Sequence, residues 1–170
     1  MKRMVSGILL CMTAAVLLIG CSTPTTQEQK TEQTTAIANP WSDWDTMEDV
    51  EAEVGFFFGL PEIIVDTYQA CGFRTMNKEL MEVIYRDEDR EVRVRKCSGE
   101  GQDISGDYNT YDICTEESFA GATVATYQNS GSNSVKQVIS CNGFSWSVTA
   151  PEGFAGDDNH DFVNLILGLS

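Results

Sequence analysis

The chain has 170 residues, of which 26 are Asp or Glu and 11 are Lys or Arg, so its net charge is −15 at pH 7. Such an excess of negative charge repels nucleic acid and anionic lipid surfaces, which argues against partners of both classes. The length suits one domain with a modest core.

The first residues have the order of charge and hydropathy of an export signal. Lys2 and Arg3 precede an apolar run, which closes with Leu18-Ile19-Gly20-Cys21. The run is shorter than the roughly 20 apolar residues that a membrane-spanning helix needs. The closing tetrapeptide resembles the lipobox of bacterial lipoproteins. The resemblance implies that residues 1–20 are a signal peptide, and that Cys21 becomes the lipid-modified first residue of an extracytoplasmic protein held at the cell membrane.

Residues 21–38 are almost entirely polar or Pro, a composition that cannot bury enough apolar surface to offset the entropy of ordering. We expect this segment to be a disordered tether. The folded part is then a single extracytoplasmic domain over residues 39–170.

Six cysteines occur in the chain. Cys11 lies in the signal segment and Cys21 carries the lipid, which leaves four thiols in the domain. These are candidates for two disulfides with three alternative pairings, among Cys71, Cys97, Cys114 and Cys141. A bridge from Cys97 to Cys114 would staple the ends of the segment between them.

The domain begins with a predicted short helix. Apolar residues recur at helical spacing over Met47–Val54. Thr46 suits the N-cap of this helix, and Gly55 suits its end.

Two hairpins can be predicted with their registers. A strand over residues 68–76 leads into the first, in which residues 80–85 and 92–96 pair so that Val83 faces Val94 and Glu82 faces Arg95.

The second hairpin turns at Asn142-Gly143, a dipeptide that readily adopts the positive φ angles of a tight hairpin turn. It places Ile139 opposite Trp146, and it predicts three side chains that face solvent, namely Ser145, Ser147 and Thr149.

Another strand is expected over residues 122–127, and a helix at the C-terminal end. This helix would start at Asp157 or Asp158. Its apolar side would carry Phe162, Leu165, Ile166 and Leu169. The predicted fold is α+β, an antiparallel β-meander sheet packed with a short N-terminal helix and a C-terminal helix.

Few residues point to catalysis. His160 is the chain's one histidine, and its position near a helix start favours a capped, solvent-facing side chain over a catalytic base. Asp157, Asn159 and Asp161 mimic the first half of a calcium loop. Phe162 stands where that loop needs Gly, and the closing Glu is missing. We therefore expect no metal, no cofactor and no enzymatic activity.

The segment between Cys97 and Cys114 is rich in hydrogen-bond acceptors, and it is the candidate binding loop. Its candidate residues are Asp103, Ser105, Asp107, Tyr108, Asn109 and Asp112. The alternative is a structural loop pinned by Asx turns, in which these acceptors bind the loop's own backbone.

Four stretches carry a family resemblance: Asn39-Pro40-Trp41, the strand 80–85, Val94-Arg95-Lys96 and the run 103–109. They resemble lipoproteins of anaerobic Gram-positive bacteria that belong to the domain-of-unknown-function 4367 class. The resemblance implies a small surface domain used for sensing or binding, and it carries over no catalytic residue.

The expected function is therefore that of a membrane-anchored surface lipoprotein with a small ligand-binding, protein-binding or sensing domain. Its partners would be the membrane, through the N-terminal lipid, and a protein or cell-envelope ligand. Two alternatives remain open at this point. One is an inhibitor or protective factor that presents a loop to a protease, and the other is a cell-wall hydrolase whose site gives no sign in the sequence.

Overall fold

The computed structural model describes residues 39–119, 121–154 and 158–168. The predicted signal peptide, the lipidation residue Cys21 and the tether lie outside the described residues, as do Asp157 and Leu169. No helix within the described ranges is long and apolar enough to cross a membrane.

Nine strands and two helices make up the described part of the chain. The strands are β1 (Trp41–Trp44), β2 (Ile63–Ile64), β3 (Tyr68–Met76), β4 (Leu80–Asp87), β5 (Arg90–Ser98), β6 (Ile113–Phe119), β7 (Ala122–Gln128), β8 (Val135–Cys141) and β9 (Phe144–Ala150). The helices are α1 (Met47–Val54) and α2 (Asp158–Leu167). The strands form one antiparallel sheet in the order β1-β3-β4-β5-β9-β8-β7-β6, and β2 pairs with β3. The α+β class is confirmed in its broad form, with the sheet dominant.

The strands do not form the single meander that was expected. β5 pairs with β9 instead of β6, so two runs of neighbouring strands, β3 to β5 and β6 to β9, meet at a β5–β9 seam. β1 and β6 were not predicted as strands. Every residue of β6 is exposed, so β6 lacks the alternation of buried and exposed side chains that identifies a strand in a sequence.

Both predicted hairpins are confirmed with their registers. Glu82 pairs with Arg95 in the first, and Ile139 pairs with Trp146 in the second. β4 and β5 run further than predicted, which shortens the turn between them to two residues. The agreement follows because apolar and charged pairs select the same register.

Helix α1 has a hydrogen-bonded cap at its start and a glycine at its end. Thr46 Oγ1 accepts a hydrogen bond from the Asp49 N–H at 3.2 Å. Gly55 ends the helix with φ of 80°, a left-handed conformation that suits glycine.

The inner face of the sheet, defined here as the face that carries Val83, holds the main core. Phe162 of α2 is fully buried, and its ring lies 5.4 Å from that of Tyr68 and 5.7 Å from that of Tyr85. α1 contributes the fully buried Val50. Each large apolar side chain buried in this way stabilises the fold by about 1.5–3 kcal/mol.

Lys96 is a charged side chain inside this core. Its Nζ donates hydrogen bonds to the carbonyl oxygens of Phe57 at 2.6 Å and Phe58 at 3.2 Å. It also lies 4.2 Å from the ring centre of Phe144 and 4.5 Å from that of Trp146. Burial lowers the pKa of Lys96 below its usual value. These contacts fasten the connector between α1 and β2 to the sheet.

The outer face carries a buried ion cluster. Glu82 is fully buried, and its two carboxylate oxygens accept hydrogen bonds from Arg74 and Arg95. The two guanidinium groups lie 5.0 and 4.9 Å from the ring centre of Trp41. The carboxylate therefore binds two cations at once, and the Trp41 ring covers the cluster, whose three charges sum to +1.

Residues 99–112, called here the cover loop, lie against the same outer face. Ser145 Oγ donates to the Gly99 carbonyl at 2.8 Å and accepts from the Gln102 N–H at 3.0 Å. The expectation that Ser145 and Ser147 face solvent is corrected, because both are buried, Ser145 beneath this loop.

The predicted disulfides are not formed, since Cys71, Cys97, Cys114 and Cys141 are free thiols. Cys97 is on β5 and Cys114 on β6, and three strands separate them. At about 4.8 Å per strand, the four strand spacings alone amount to about 19 Å, and Cys114 lies four residues along β6 from Ser118, the residue in the row of Cys97. Cys141 lies two strands from Cys97 and points to the opposite face of the sheet. The expected pairing is corrected because no hairpin brings two of these thiols together.

Candidate functional site

A row of register partners crosses the inner face, and its chemistry changes halfway. From β4 to β6 the row is Val83, Val94, Val148, Gln137, Thr126 and Thr115. Its first half is apolar and its second half is polar. Apolar packing therefore does not extend to the β6 edge, and a groove lies there instead.

This β6–α2 groove has a volume of about 380 Å³. Its floor comes from β6, β7 and β8, and α2 forms a wall. The floor residues are Thr115, Glu117, Phe119, Val124, Thr126, Gln128 and Gln137. The wall residues are His160, Val163, Asn164 and Leu167. The wall residues follow the spacing i, i+3, i+4 and i+7, so they share one stripe of the helix.

Gln137 is the most constrained polar group in the groove. Its side chain is only 4% exposed, and its Nε2 donates a long hydrogen bond of 3.5 Å to Thr126 Oγ1. Its Oε1 has no hydrogen-bond partner among the described residues. Turning the amide over would exchange the two atoms and leave the other one unpaired. A buried amide atom without a partner costs about 1–3 kcal/mol, which a bound polar group would recover.

Apolar and acidic groups surround this amide. Phe119 is 55% exposed at the sheet edge, an unusual exposure for so large an apolar ring. Val163 and Leu167 of α2 are half-buried across the groove. Glu117 lines the groove, and no Lys or Arg is among its described lining residues. The groove therefore combines apolar walls, a buried amide and a carboxylate, which suits a ligand with apolar and cationic parts.

His160 lies on the groove wall, and its side chain is exposed. No group of three or more potential metal-ligating side chains occurs in the described ranges.

The candidate binding loop lies on the opposite face of the sheet from this groove. Asp103 accepts a hydrogen bond from the Ser105 N–H at 3.0 Å and one from Lys136 Nζ at 3.0 Å. Burial alone would raise the pKa of Asp103, but the hydrogen bonds from Ser105 and Lys136 outweigh it and hold the pKa below its usual value. Asp103 therefore anchors the cover loop to β8.

The other acceptors of the cover loop also bind nearby groups. Ser105 Oγ accepts from the Asp107 N–H at 3.1 Å, and Asp107 accepts from the Asn109 N–H at 2.9 Å. Asp112 accepts from the Ser130 N–H at 2.9 Å. The bonds of Asp103, Ser105 and Asp107 to the N–H two residues on are the successive local turns that the structural alternative for this loop describes, whereas the bond of Asp112 ties the loop to the β7–β8 connection.

Tyr108 differs from the other candidate residues of the loop because its side chain is 96% exposed. Of the candidate set, it presents the largest free surface to a partner. A binding role for the cover loop stays a prediction that rests mainly on this side chain.

Comparison with family models, with curated proteins and with solved structures finds no match to this chain. The resemblance to the domain-of-unknown-function 4367 class therefore stays a prediction, and so does the resemblance to bacterial lipoproteins. The interpretation of the site rests on its own geometry.

Sequence analysis missed the groove because its parts come from distant segments. β6 and α2 are about 40 residues apart, and the strand order brings them to one end of the sheet. One local signal was present: His160, Val163 and Leu167 recur at helical spacing on a stripe distinct from that of Phe162 and Ile166. A helix with two such stripes has a second face available for contacts.

Proposed function

We propose that this chain is an extracytoplasmic lipoprotein, anchored through Cys21, whose domain binds a ligand or protein partner in the β6–α2 groove without catalysis. The observation that carries the binding site is the buried, unpaired amide atom of Gln137 between apolar walls. A site with these groups can fix the orientation of a ligand through one polar contact and hold it by apolar burial.

The anchor is tested separately from the groove. Cys21→Ala should remove incorporation of labelled palmitate and leave the precursor uncut, whereas Cys71→Ala should be labelled and cut as the wild type is. Lipid labelling of the Cys21→Ala protein would refute the anchor. Burying acyl chains contributes about 0.8 kcal/mol per methylene, so the lipid on Cys21 should hold the processed wild-type protein in the membrane fraction.

The groove is tested by comparing two glutamines. Gln137→Leu removes the buried amide at nearly constant volume, and Gln69→Leu makes the same change at an exposed position of β3. Full-length protein in detergent would be incubated with cell-envelope fragments, and the retained material compared between variants. Loss of a retained ligand with Gln137→Leu alone supports the groove. Equal retention by all three proteins would rule it out as the binding site.

A second candidate function uses the cover loop as the surface presented to a partner such as a protease. The 96% exposure of Tyr108 on a loop held by many hydrogen bonds favours it. Tyr108→Ala should then abolish retention of the partner while Gln137→Leu leaves it unchanged. Release of soluble fragments from cell wall by the purified protein would instead support the hydrolase alternative.

A further inference from the structure

The free edge of β6 continues the β6–α2 groove. β6 is the last strand of the sheet, and within the described ranges no strand pairs with its outer side. It is seven residues long, fully exposed, and in unbroken register with β7. β1, at the opposite end, has only four residues. Natural sheets shield edges with charged side chains, proline, bulges or short strands. β6 has no lysine, proline or bulge, and its only such groups are the carboxylates of Glu116 and Glu117, which repel an acidic strand but not a basic one.

Backbone alternation decides which groups of β6 are free. In an antiparallel pair, residues that exchange hydrogen bonds with the neighbour alternate with residues whose N–H and C=O point away. The two-residue turn between β8 and β9 is flanked by Cys141 and Phe144, which form a hydrogen-bonded pair in a hairpin of this kind. From this pair, the registers of β8 with β7 and of β7 with β6 show which residues of β6 bond to β7. The backbone groups of Thr115 and Glu117 therefore bond to β7. Those of Cys114, Glu116 and Ser118 point to the open side.

We infer that the partner of this groove is an extended, cationic polypeptide segment that adds to β6 as a tenth, antiparallel strand. This inference rests on the proposed function and names the class of its partner. The backbone groups of Cys114, Glu116 and Ser118 supply the hydrogen bonds of the new pairing. Side chains on the inner face of the added strand lie beside Glu117 and Phe119, at the mouth of the groove.

The charge of the partner follows from the acids at this edge. β6 carries Glu116 on the outer face and Glu117 on the inner face, and it has no basic residue. Asp161 adds a further exposed acid on the nearby helix α2. A strand with lysine or arginine opposite these acids gains at each pair, whereas an acidic strand is repelled.

A second copy of this chain pairs poorly along the full length of the edge. The antiparallel register that pairs all seven residues of two β6 strands puts Glu116 directly opposite its own copy. A shift of two residues in one direction puts Glu117 opposite its own copy instead. Like charges directly opposite each other destabilise a strand pair, so self-association through the full edge is disfavoured.

The test uses a labelled seven-residue peptide of alternating lysine and valine, and full-length protein in detergent. Three controls are matched to it: the same peptide with every backbone nitrogen methylated, the peptide with glutamate in place of lysine, and the protein variant Glu116→Pro. The proline removes an N–H that points away from β7, so the β6–β7 bonds remain. Glu116→Gln keeps that N–H and removes only the charge.

Fluorescence anisotropy should show binding of the lysine peptide, and each of the three controls should weaken it at least about tenfold, the equivalent of one net hydrogen bond. Glu116→Gln should weaken it less than Glu116→Pro. Amide hydrogen exchange at Cys114, Glu116 and Ser118 should slow when the peptide binds. Thermal melting of each variant checks that the fold is intact.

Strand addition would be overturned if the methylated peptide bound as tightly as the lysine peptide, or if Glu116→Pro bound the lysine peptide as tightly as the wild type does. Either result would mean attraction by charge alone, which needs no backbone hydrogen bonds. Absence of binding by the lysine peptide would also overturn it, as would a dimer in sedimentation that Glu116→Pro dissociates. None of these results tests whether the groove binds a ligand. The comparison of Gln137→Leu with Gln69→Leu tests that.

Discussion

Removing the charge of the fully buried Glu82 should destabilise the domain far more than removing that of a glutamate paired at the surface. Glu82→Gln leaves Arg74 and Arg95 without their counterion, and these side chains are only 23% and 13% exposed. Breaking a buried ion pair by losing one partner costs about 3–5 kcal/mol, because an uncompensated charge stays behind. At roughly 4 °C per kcal/mol for a domain of this size, Tm should fall by about 12–20 °C.

The matched control is Glu91→Gln. Glu91 also accepts hydrogen bonds from two arginines, Arg86 and Arg93, but their side chains are 55% and 42% exposed. Surface pairs of this kind contribute about 0–1 kcal/mol each, so Tm should fall by only a few degrees. Urea denaturation of the wild type and both variants gives the free energies of unfolding directly. Equal losses for Glu82→Gln and Glu91→Gln would refute the argument from burial.

Three further predictions concern the core, the thiols and the cover loop. The pKa of Lys96 is lowered in the folded state from its usual 10.5, which it keeps in the unfolded chain. At pH values between these two pKa values, the unfolded chain binds more protons than the folded one. The free energy of unfolding should therefore rise with pH across that window in the wild type and not in Lys96→Met, as measured by urea denaturation; a parallel rise in both would contradict it. Iodoacetamide should modify the exposed Cys71 and Cys114 in the native protein and the two buried thiols only after unfolding, and mass spectrometry that finds all four modified together would disprove this. Gly106 has a φ of 63°, and a side chain there would collide with Arg95. Gly106→Ala should lower the free energy of unfolding by at least about 1–2 kcal/mol and speed amide exchange in the cover loop, whereas unchanged exchange would be inconsistent with the packing.

Local signals predicted the hairpins because each places its decisive residues close together in the chain. Asn142-Gly143 fixes the β8–β9 turn, and the paired valines and charges of β4 and β5 select one register. The β5–β9 seam could not be predicted in this way. It joins β5 and β9, and 45 residues lie between the end of β5 at Ser98 and the start of β9 at Phe144.

Local sequence signals predicted even less of the candidate site than of the fold. Gln137 is polar and lies in a strand that also carries Lys136, so nothing in the sequence marks it as buried beside a groove. The cover loop was singled out for its acceptors, and the structure uses those of Asp103, Ser105 and Asp107 to build the loop itself. Hydrogen-bonding capacity identifies a segment as ordered, but only the fold shows which of its groups remain available.

The β5–β9 seam also has a consequence for the order of folding. Each run of hairpins can form from neighbouring residues, but the seam needs closure of a long stretch of chain, which is entropically costly and slow. The cover loop spans this seam, since it bonds to β9 and β8 after leaving β5. Its amide protection therefore reports the last step of assembly, and refolding followed by pulsed hydrogen exchange should show the two half-sheets protected before it.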